Sequence, residues 1–239
     1  MDEAERLSLV AEVLADQPVM HPEAPNRKVW RTEKSCYEFL ARHVSEGANT
    51  LETGAGISTV LFTAWGCNHL MIAPDPADAA AITTYCGQHQ ISTDSLQIDS
   101  RPSEEALPGL GHDVDFDLFF IDGAHSFPLP TIDWFYGASH VRQGGFVVFD
   151  DAPLPAVRML LDWFIEPDAR WQPVARTMKW RAYQRLSQGS LAELESYQPF
   201  FQGPRSVKDR IKVIVPPRAR RAVRRVIPYR EWENGLRVS

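Results

Sequence analysis

Apolar positions along the chain follow two alternating patterns, short continuous runs and longer runs with helical spacing. The continuous runs, typical of buried strands, lie at 49–53, 69–73, 95–99, 116–122 and 144–150. Helices are predicted before and between them, at 2–16, 32–44, 58–65, 76–89, 129–140 and 156–165, with a helical turn at 103–107. Continuous hydrophobicity indicates a strand covered on both faces, so the alternation predicts a parallel sheet between two layers of helices.

The pattern changes beyond residue 165. Residues 171–177 and 180–186 are predicted to form two strands joined by a short turn, whereas residues 17–31, with three prolines, are predicted to be irregular. A hairpin that follows five βα units adds an antiparallel edge to a parallel sheet. We therefore predict an α/β fold and divide the chain into an N-terminal helical extension (1–31), a main domain (32–202) and a C-terminal tail (203–239).

Charge is distributed unevenly between the tail and the rest of the chain. The 239 residues carry a net charge of −6, but residues 203–239 hold eleven Lys and Arg against three Asp and Glu, which leaves fourteen basic and 28 acidic residues in 1–202. A nucleic-acid-binding face should be basic, so the acidic main domain argues against a nucleic acid as substrate. The basic tail suits three uses: peripheral contact with a membrane of anionic lipid, docking onto an acidic surface of the same chain or of a second copy in a homo-oligomer, and a solvated end.

Three further features bear on the cellular location of the protein. No apolar run approaches the ~20 residues of a membrane span, and the acidic N-terminus lacks the apolar segment of a secretory signal. The three cysteines, Cys36, Cys67 and Cys86, are scattered without metal-binding spacing, which fits a reducing compartment. We expect a cytoplasmic protein, with any membrane-peripheral contact made through the tail.

Residues 50–62 carry the most informative motif of the chain. A short apolar approach ends in Glu52, two glycines follow at Gly54 and Gly56, and two hydroxyls, Ser58 and Thr59, open a helical run. Glycines let a ligand approach the main chain closely, and a helix start offers free N–H groups. At the strand tip, the Glu52 side chain can accept hydrogen bonds from the hydroxyls or amine of a ligand. This order predicts a site for a nucleotide-like cofactor, and Thr59, in place of the third glycine of a dinucleotide fingerprint, disfavours NAD.

Acids also mark the ends of the other predicted strands. The tips after Glu52 end in or near Asp75, Asp99, Asp122 and the pair Asp150-Asp151. In open α/β sheets, ligands bind beyond the carboxyl ends of the strands. These acids are therefore expected to share one site, together with His125, which follows Asp122 closely.

Two of these motifs resemble those of a known enzyme family. Glu-x-Gly-x-Gly is similar to the first motif of class I S-adenosylmethionine-dependent methyltransferases, with Ser58 where the family often has a third glycine. Asp122-Gly-Ala-His125 and the Asp150-Asp151 pair resemble motifs of the type 24, catechol O-methyltransferase-like group. The resemblance covers about residues 32–186. It implies a Rossmann-like, doubly wound sheet of seven mostly parallel strands with one antiparallel edge strand, in three α/β/α layers.

The resemblance also implies a cofactor, S-adenosylmethionine, and the residues that hold it. These belong to the glycine turn and to neighbouring strand tips: Glu52, Gly54, Gly56, Ser58, Thr59, Asp75, Ser103, Glu104 and Asp122. Ser103 and Glu104 lie in a segment similar to the one that holds adenine in the catechol-type group. The acid that usually holds the ribose at the end of the second strand falls here on Ala73, so Asp75 would have to replace it.

Two reaction schemes remain open at the last two strand tips. In the first, His125 is the general base that takes the proton of the acceptor, beside Asp122, and Asp150 or Asp151 orients it or the acceptor. In the second, Asp122, Asp150 and Asp151 bind Mg²⁺ or a similar hard cation. The catechol-type enzymes have Asp-Asn at the fifth tip and a lysine where this chain has His125, and these departures count against the metal.

The acceptor is predicted to be a small molecule or a sugar-like hydroxyl, methylated on oxygen. Phe127, Trp134, Tyr136 and Trp180 would form either an aromatic acceptor pocket or, as is more common, part of the core. Two other functions remain open. One is a nucleoside-binding or scaffold protein that has lost catalysis, which Ala73 favours, and the other is an NAD-dependent enzyme.

Overall fold

The computed structural model describes residues 1–20, 31–111 and 113–187. Its strands are β1 (Asn49–Thr53), β2 (Asn68–Ile72), β3 (Leu96–Asp99), β4 (Phe116–Ile121), β5 (Val141–Phe149), β6 (Trp171–Arg176) and β7 (Arg181–Arg185). Its helices are α1 (Glu3–Ala15), α2 (Lys34–His43), α3 (Ile57–Ala64), α4 (Pro76–Gln88), α5 (Ser103–Ala106), α6 (Leu129–Gly137) and α7 (Pro155–Leu160). Every predicted strand and helix is present, with shifts of one to a few residues at the ends.

The seven strands form one sheet in the order β3-β2-β1-β4-β5-β7-β6. Neighbours among β1 to β5 pair in parallel, whereas β7 runs antiparallel to both β5 and β6. The predicted Rossmann-like fold is confirmed, and the β6–β7 hairpin forms its antiparallel edge, with the reversed strand β7 one position inside the outer strand β6. The strand order changes direction between β1 and β4, which opens a crevice at the carboxyl ends of these two strands.

Strand β4 shows why the continuous apolar runs are central strands. Leu118 and Phe120 point to one face and pack in a core with α1, α2 and α3, whereas Phe119 and Ile121 point to the other face and pack with α5, α6 and α7. All four side chains are buried. Because successive residues of a strand face opposite sides, both helical layers require an unbroken apolar run.

The first helix is part of the same packed body. Asp2 and Glu5 form a capping box at its start, and Arg6 Nε donates a hydrogen bond to the Ala41 carbonyl oxygen at 2.8 Å. Val10 and Val13 lie in the core shared with α2 and α3.

The proposed domain boundaries at 31 and 202 stay predictions, and the basic tail, 203–239, lies outside the described residues. Among the residues that are described, none of the helices has the length and apolarity to cross a membrane.

Gly54 forms the contact between the tips of β1 and β4. Its φ is +99°, and its N–H donates a hydrogen bond to the Ile72 carbonyl at 2.9 Å. A Cβ at this position would lie 2.3 Å from the carbonyl oxygen of Asp122. Gly56, by contrast, has an extended φ of 172°, and a Cβ there would meet no atom within 4 Å. Only the first of the two motif glycines is therefore required by the backbone.

This difference predicts opposite outcomes for two alanine substitutions. Gly54→Ala should lower the free energy of unfolding by at least ~2 kcal/mol, because it combines a positive φ with a clash against the main chain. Gly56→Ala, the matched control, should change stability by less than about 1 kcal/mol. Chemical denaturation of both variants measures the effect, and equal stability of the two would contradict this account of Gly54.

Candidate functional site

A cavity of about 1030 Å³ opens at the carboxyl edge of the sheet, at the crevice between β1 and β4. Its walls come from the ends of five strands, from the N-terminal segment and from the β6–β7 turn. The lining residues are Gln17, Met20, Arg31, Thr53, Gly54, Ala55, Ile72, Ala73, Pro74, Asp78, Pro102, Ser103, Glu104, Asp122, Gly123, Ala124, His125, Leu129, Asp150, Asp151 and Lys179. Its size suits a ligand as large as a nucleoside cofactor.

Glu52 lies behind the glycine turn, outside the lining of this cavity. Its side chain is fully buried and accepts hydrogen bonds from Ser58 Oγ and from Thr59 Oγ1, the latter at 2.7 Å. His69 Nε2 lies 3.3 Å from Glu52 Oε2. Gly56 N–H donates to Thr59 Oγ1 at 3.0 Å. A buried carboxylate requires such donors, so this cluster braces the turn.

Four of the predicted cofactor-binding residues, Glu52, Gly56, Ser58 and Thr59, lie outside the cavity lining, and their contact with a cofactor stays a prediction. The hydroxyls of Ser58 and Thr59 both donate to the Glu52 carboxylate. The reason is that α3 begins at Ile57 and turns its first hydroxyls back towards β1. Gly54, the remaining motif residue, does line the cavity together with Thr53 and Ala55.

Near the end of β2, Asp78 lines the cavity whereas Asp75 does not. Asp75 is exposed and caps α4 by accepting a hydrogen bond from the Ala77 N–H at 2.9 Å. Asp78, in the first turn of α4, is 8% exposed and lines the cavity beside Ala73 and Pro74. The sequence signal for Asp78 is its position in the first helical turn after an Asp N-cap, where its side chain points back towards the cap.

Ser103 and Glu104 line the cavity beyond β3, and their contact with adenine stays a prediction. Behind them lies a carboxyl that the sequence analysis missed, that of Asp133 on α6, which is 1% exposed. Burial raises the pKa of Asp133 to about 6, although hydrogen bonding by Ser103 and Thr53 acts in the opposite direction. Asp133 lies on a helix that reads as apolar, so its approach to the site depends on the packing of α6 on α5.

The fourth and fifth strand tips bring their acids and histidine together. His125 Nδ1 lies 3.5 Å from Asp151 Oδ2, and His125 Nε2 lies 3.8 Å from Asp122 Oδ1. His125 Nε2 is buried and has no hydrogen-bond partner among the described residues. Asp150 is 3% exposed, and its Oδ1 accepts a hydrogen bond from Thr32 Oγ1 at 2.6 Å. The rim predicted from the sequence is thus one constellation.

A cation that the sequence analysis missed completes the rim. Lys179, in the turn between β6 and β7, donates a hydrogen bond through Nζ to Asp151 Oδ1. The same Nζ lies 3.5 Å from Asp150 Oδ2. No local pattern around Lys179 distinguishes it from an ordinary turn lysine. The four predicted aromatic residues take other places: Trp134 and Trp180 are buried in the core, Phe127 and Tyr136 are exposed, and none of them lines the cavity.

Burial dominates the titration of this rim. It lowers the pKa of His125 below its ordinary value, although Asp151 and Asp150 act in the opposite direction. Burial, with the nearby Asp150, Glu52 and Asp151, holds the pKa of Asp122 well above its usual range, and burial also raises the pKa of Asp150. Burial alone would lower the pKa of Lys179, but its contacts with Asp151 and Asp150 outweigh this and raise it. Near neutral pH, His125 is therefore a neutral base and Lys179 a cation.

The residues present do not fit a divalent metal ion. Within residues 1–20, 31–111 and 113–187, no three His, Cys, Asp or Glu side chains are arranged to hold one. The Asp150 and Asp151 oxygens that face each other are already in contact with the Lys179 ammonium. The cation at this rim is therefore the lysine ammonium group.

The sequence and the fold were compared with known proteins. Residues 51–152, somewhat less than half of the chain, match the type 24 family model that is described as a methyltransferase domain. The chain contains a methyltransferase domain. This match confirms the resemblance seen in the sequence motifs, and it spans β1 to β5 with both the glycine turn and the acidic rim. No curated protein matches the sequence significantly.

Solved structures share the fold of this methyltransferase domain. Three of them are the O-methyltransferase TomG from Streptomyces achromogenes in complex with SAM, an O-methyltransferase from Bacillus cereus in complex with SAH, and cofactor-bound Rv0187 from MTB. Their sequence identities to this chain are 15%, 16% and 18%, and their TM-scores are 0.56, 0.55 and 0.54. The matches cover 77%, 76% and 77% of this chain and 90%, 91% and 90% of the neighbours.

The raised pKa of Asp122 predicts a stability gain when its charge is removed. A raised pKa means that the folded state binds the proton more tightly than the unfolded chain, so the contribution of this group is fully present below the unfolded pKa and is lost as the pH rises. Asp122→Asn should therefore raise the melting temperature at pH 8, by about 2–4 °C per kcal/mol recovered. The gain should shrink towards pH 4, where the wild-type carboxyl is protonated.

Thermal melting monitored by circular dichroism from pH 4 to pH 8 measures this effect. Glu104→Gln is the control, because Glu104 lines the same cavity but is exposed. A wild-type melting temperature in the Asp122 variant at pH 8, or an equal gain in the Glu104 variant, would show that burial of Asp122 is not the cause.

Proposed function

We propose that this chain transfers a methyl group from S-adenosylmethionine to a hydroxyl oxygen of a small-molecule or sugar-like acceptor. The observation that carries the proposal is the placement of His125 at the rim of the large cavity, inside the methyltransferase domain, with one ring nitrogen facing Asp151 and the other without a hydrogen-bond partner among the described residues. Two neighbours of the same fold are O-methyltransferases solved with SAM or SAH, which supports both the cofactor and the oxygen acceptor.

The cavity has the features that a nucleoside cofactor requires. Gly54 allows the main chain of the turn to form one wall, since a Cβ there would collide with Asp122. Thr53 forms part of the same wall. Ser103 and Glu104 offer polar groups at the end of the cavity beyond β3. When bound, S-adenosylmethionine supplies a methyl group attached to a positively charged sulfonium sulfur. Loss of this methyl group turns the sulfonium into a neutral thioether.

The residues of the rim then have distinct tasks in the displacement. With S-adenosylmethionine bound, the acceptor oxygen would take the methyl group, and the electron pair of the carbon–sulfur bond would stay on sulfur. The acceptor proton passes to Nε2 of neutral His125, which later releases it to water. Asp151 faces Nδ1 of the ring and favours the tautomer in which Nε2 is the free base. Alignment of the acceptor with the methyl group is the main requirement of the reaction.

Room for an acceptor lies next to the rim. A second cavity of about 500 Å³ is lined by Leu14, Arg31, Thr32, Glu33, Lys34 and Lys179. It shares Arg31 and Lys179 with the large cavity. A small acceptor in this space would lie beside Lys179, which lines both cavities. The predictions of a cytoplasmic location, of homo-oligomer formation and of membrane contact through the tail stay untested.

Cofactor binding separates this proposal from its rivals. Isothermal titration with S-adenosylhomocysteine should give a measurable heat, and titration with NAD should give none. Binding of NAD alone would favour a nucleotide-dependent oxidoreductase, and binding of neither would favour a scaffold that has lost its cofactor, for which Ala73 at the end of β2 is the supporting feature.

The role of His125 predicts a selective loss of turnover. His125→Ala should lower kcat by roughly 10²–10⁴-fold, the range for a lost general base, and should leave the affinity for S-adenosylhomocysteine nearly unchanged. In the wild type, kcat/KM should rise with pH through a pKa below the usual 6.5 of histidine, because burial favours the neutral ring. The variant should lack this rise.

These rates require an acceptor, which a panel of phenols, catechols and sugars with isotopically labelled S-adenosylmethionine would supply. His140→Ala is the matched control, since His140 is half-buried and its Nδ1 lies 3.1 Å from the Val114 carbonyl oxygen, away from the rim. Turnover of the His125 variant at the wild-type rate would exclude the proton-acceptor role.

A further inference from the structure

Lys179 contacts both acids of the fifth strand tip and lines both cavities. We propose that Lys179 is a resident cation of the acceptor site: its ammonium group occupies the position between Asp150 and Asp151 that a divalent metal ion would otherwise take, and it presents its remaining N–H to the acceptor oxygen. The role given to this charge rests on the proposed methyl transfer. The placement of the ammonium group between the two carboxylates does not depend on any substrate.

The carboxylate oxygens at this tip are each used by a different group. Asp150 Oδ1 accepts from Thr32 Oγ1 at 2.6 Å, and Asp150 Oδ2 lies 3.5 Å from Lys179 Nζ. Asp151 Oδ1 accepts from Lys179 Nζ, and Asp151 Oδ2 lies 3.5 Å from His125 Nδ1. A metal ion inserted here would have to displace the ammonium group, since both oxygens that face a common centre are in contact with it.

The register of the sheet fixes Lys179 in this place. β5 and β7 pair antiparallel with Phe149 opposite Arg181. Two residues after Phe149 and two residues before Arg181, the same register sets Asp151 opposite Lys179. The hydrogen bond from Ala152 N–H to the Lys179 carbonyl at 2.8 Å continues the pairing. Thr177 Oγ1 accepts from the Lys179 N–H at 3.1 Å and so holds the turn. The contact is thus a consequence of the reversed strand.

The backbone conformation of Asp151 indicates that the surrounding structure holds Asp150 and Asp151 in a fixed arrangement. Its φ is +51°, a conformation that is uncommon for residues other than glycine. Sparsely populated backbone conformations persist where the surrounding structure requires them, often at functional sites. Here the turn directs consecutive carboxylates, which would point to opposite sides in a continuing strand, towards a single ammonium group.

Charge and donor count fit the proposed task. Three carboxyl groups, those of Asp122, Asp150 and Asp151, and one imidazole share this rim, so an unpaired arrangement would be strongly repulsive. An ammonium group has three N–H donors. One is donated to Asp151, and Asp150 Oδ2 lies 3.5 Å from the same nitrogen, which leaves a donor for the acceptor oxygen as it loses its proton to His125. Lys179 thus contacts the acceptor and also orients Asp151 and, through it, the imidazole.

Manganese binding tests this inference without a known acceptor. Each protein is purified with S-adenosylhomocysteine, treated with EDTA, dialysed, and titrated with Mn²⁺ while free Mn²⁺ is followed by electron paramagnetic resonance. The wild type should retain no Mn²⁺ at this site. Lys179→Met, which leaves the two carboxylates unpaired, should retain Mn²⁺, and Lys179→Met with Asp150→Asn should lose it again. Lys179→Arg should exclude the metal as the wild type does, because it restores the cation.

Lys34→Met provides the matched control. Lys34 lines the second cavity but pairs with Glu38 at 3.4 Å, so its loss removes the same charge without opening the rim, and this variant should retain no Mn²⁺. Retention of Mn²⁺ by the wild type that Asp150→Asn abolishes would overturn the inference. So would a Lys179→Met protein that melts cooperatively and binds S-adenosylhomocysteine but retains no more Mn²⁺ than the Lys34 variant. Failure to bind S-adenosylhomocysteine in the wild type would instead refute the proposed function.

Discussion

The burial of several carboxylates at one edge of the sheet is the constraint on which this site depends. Glu52 and Asp150 are buried and Asp122 is half-buried. All three lie at the carboxyl ends of adjacent parallel strands, which the fold brings to one edge of the sheet. Each charge costs several kcal/mol to bury without a partner. The side chains that compensate each acid therefore decide which parts of the crevice are structural and which remain available for chemistry.

The acids are compensated in two different ways. Glu52 is surrounded by the hydroxyls of Ser58 and Thr59 and by His69, so its oxygens are used within the protein and hold the glycine turn against β1. At the rim, Asp150 and Asp151 face a lysine and an imidazole whose protons can move or be shared with a ligand. The first arrangement shapes the cofactor wall, and the second keeps reactive groups beside it.

Features that depend on neighbouring residues in the sequence or on the order of the strands could be predicted, whereas features that depend on the detailed contacts between distant segments could not. Strand β4 was predictable because burial on both faces leaves a local mark, an unbroken apolar run. The meeting of Asp122 and His125 with Asp150 and Asp151 followed from the parallel order of the strands. The inward turn of Ser58 and Thr59 could not be predicted, since it depends on where α3 begins relative to β1. That Asp78 and not Asp75 lines the cavity depends likewise on where α4 begins.

Lys179 shows what only the three-dimensional register reveals. It lies 28 residues from Asp151 in the chain, and its own segment reads as an unremarkable hairpin turn. An antiparallel strand beside β5 necessarily brings its first residues to the carboxyl edge, whereas a parallel strand would bring its last ones. The reversed strand therefore adds a side chain to the site from a direction that the five βα units cannot supply. In this domain that side chain is a cation, and it faces the two acids that would otherwise be left uncompensated.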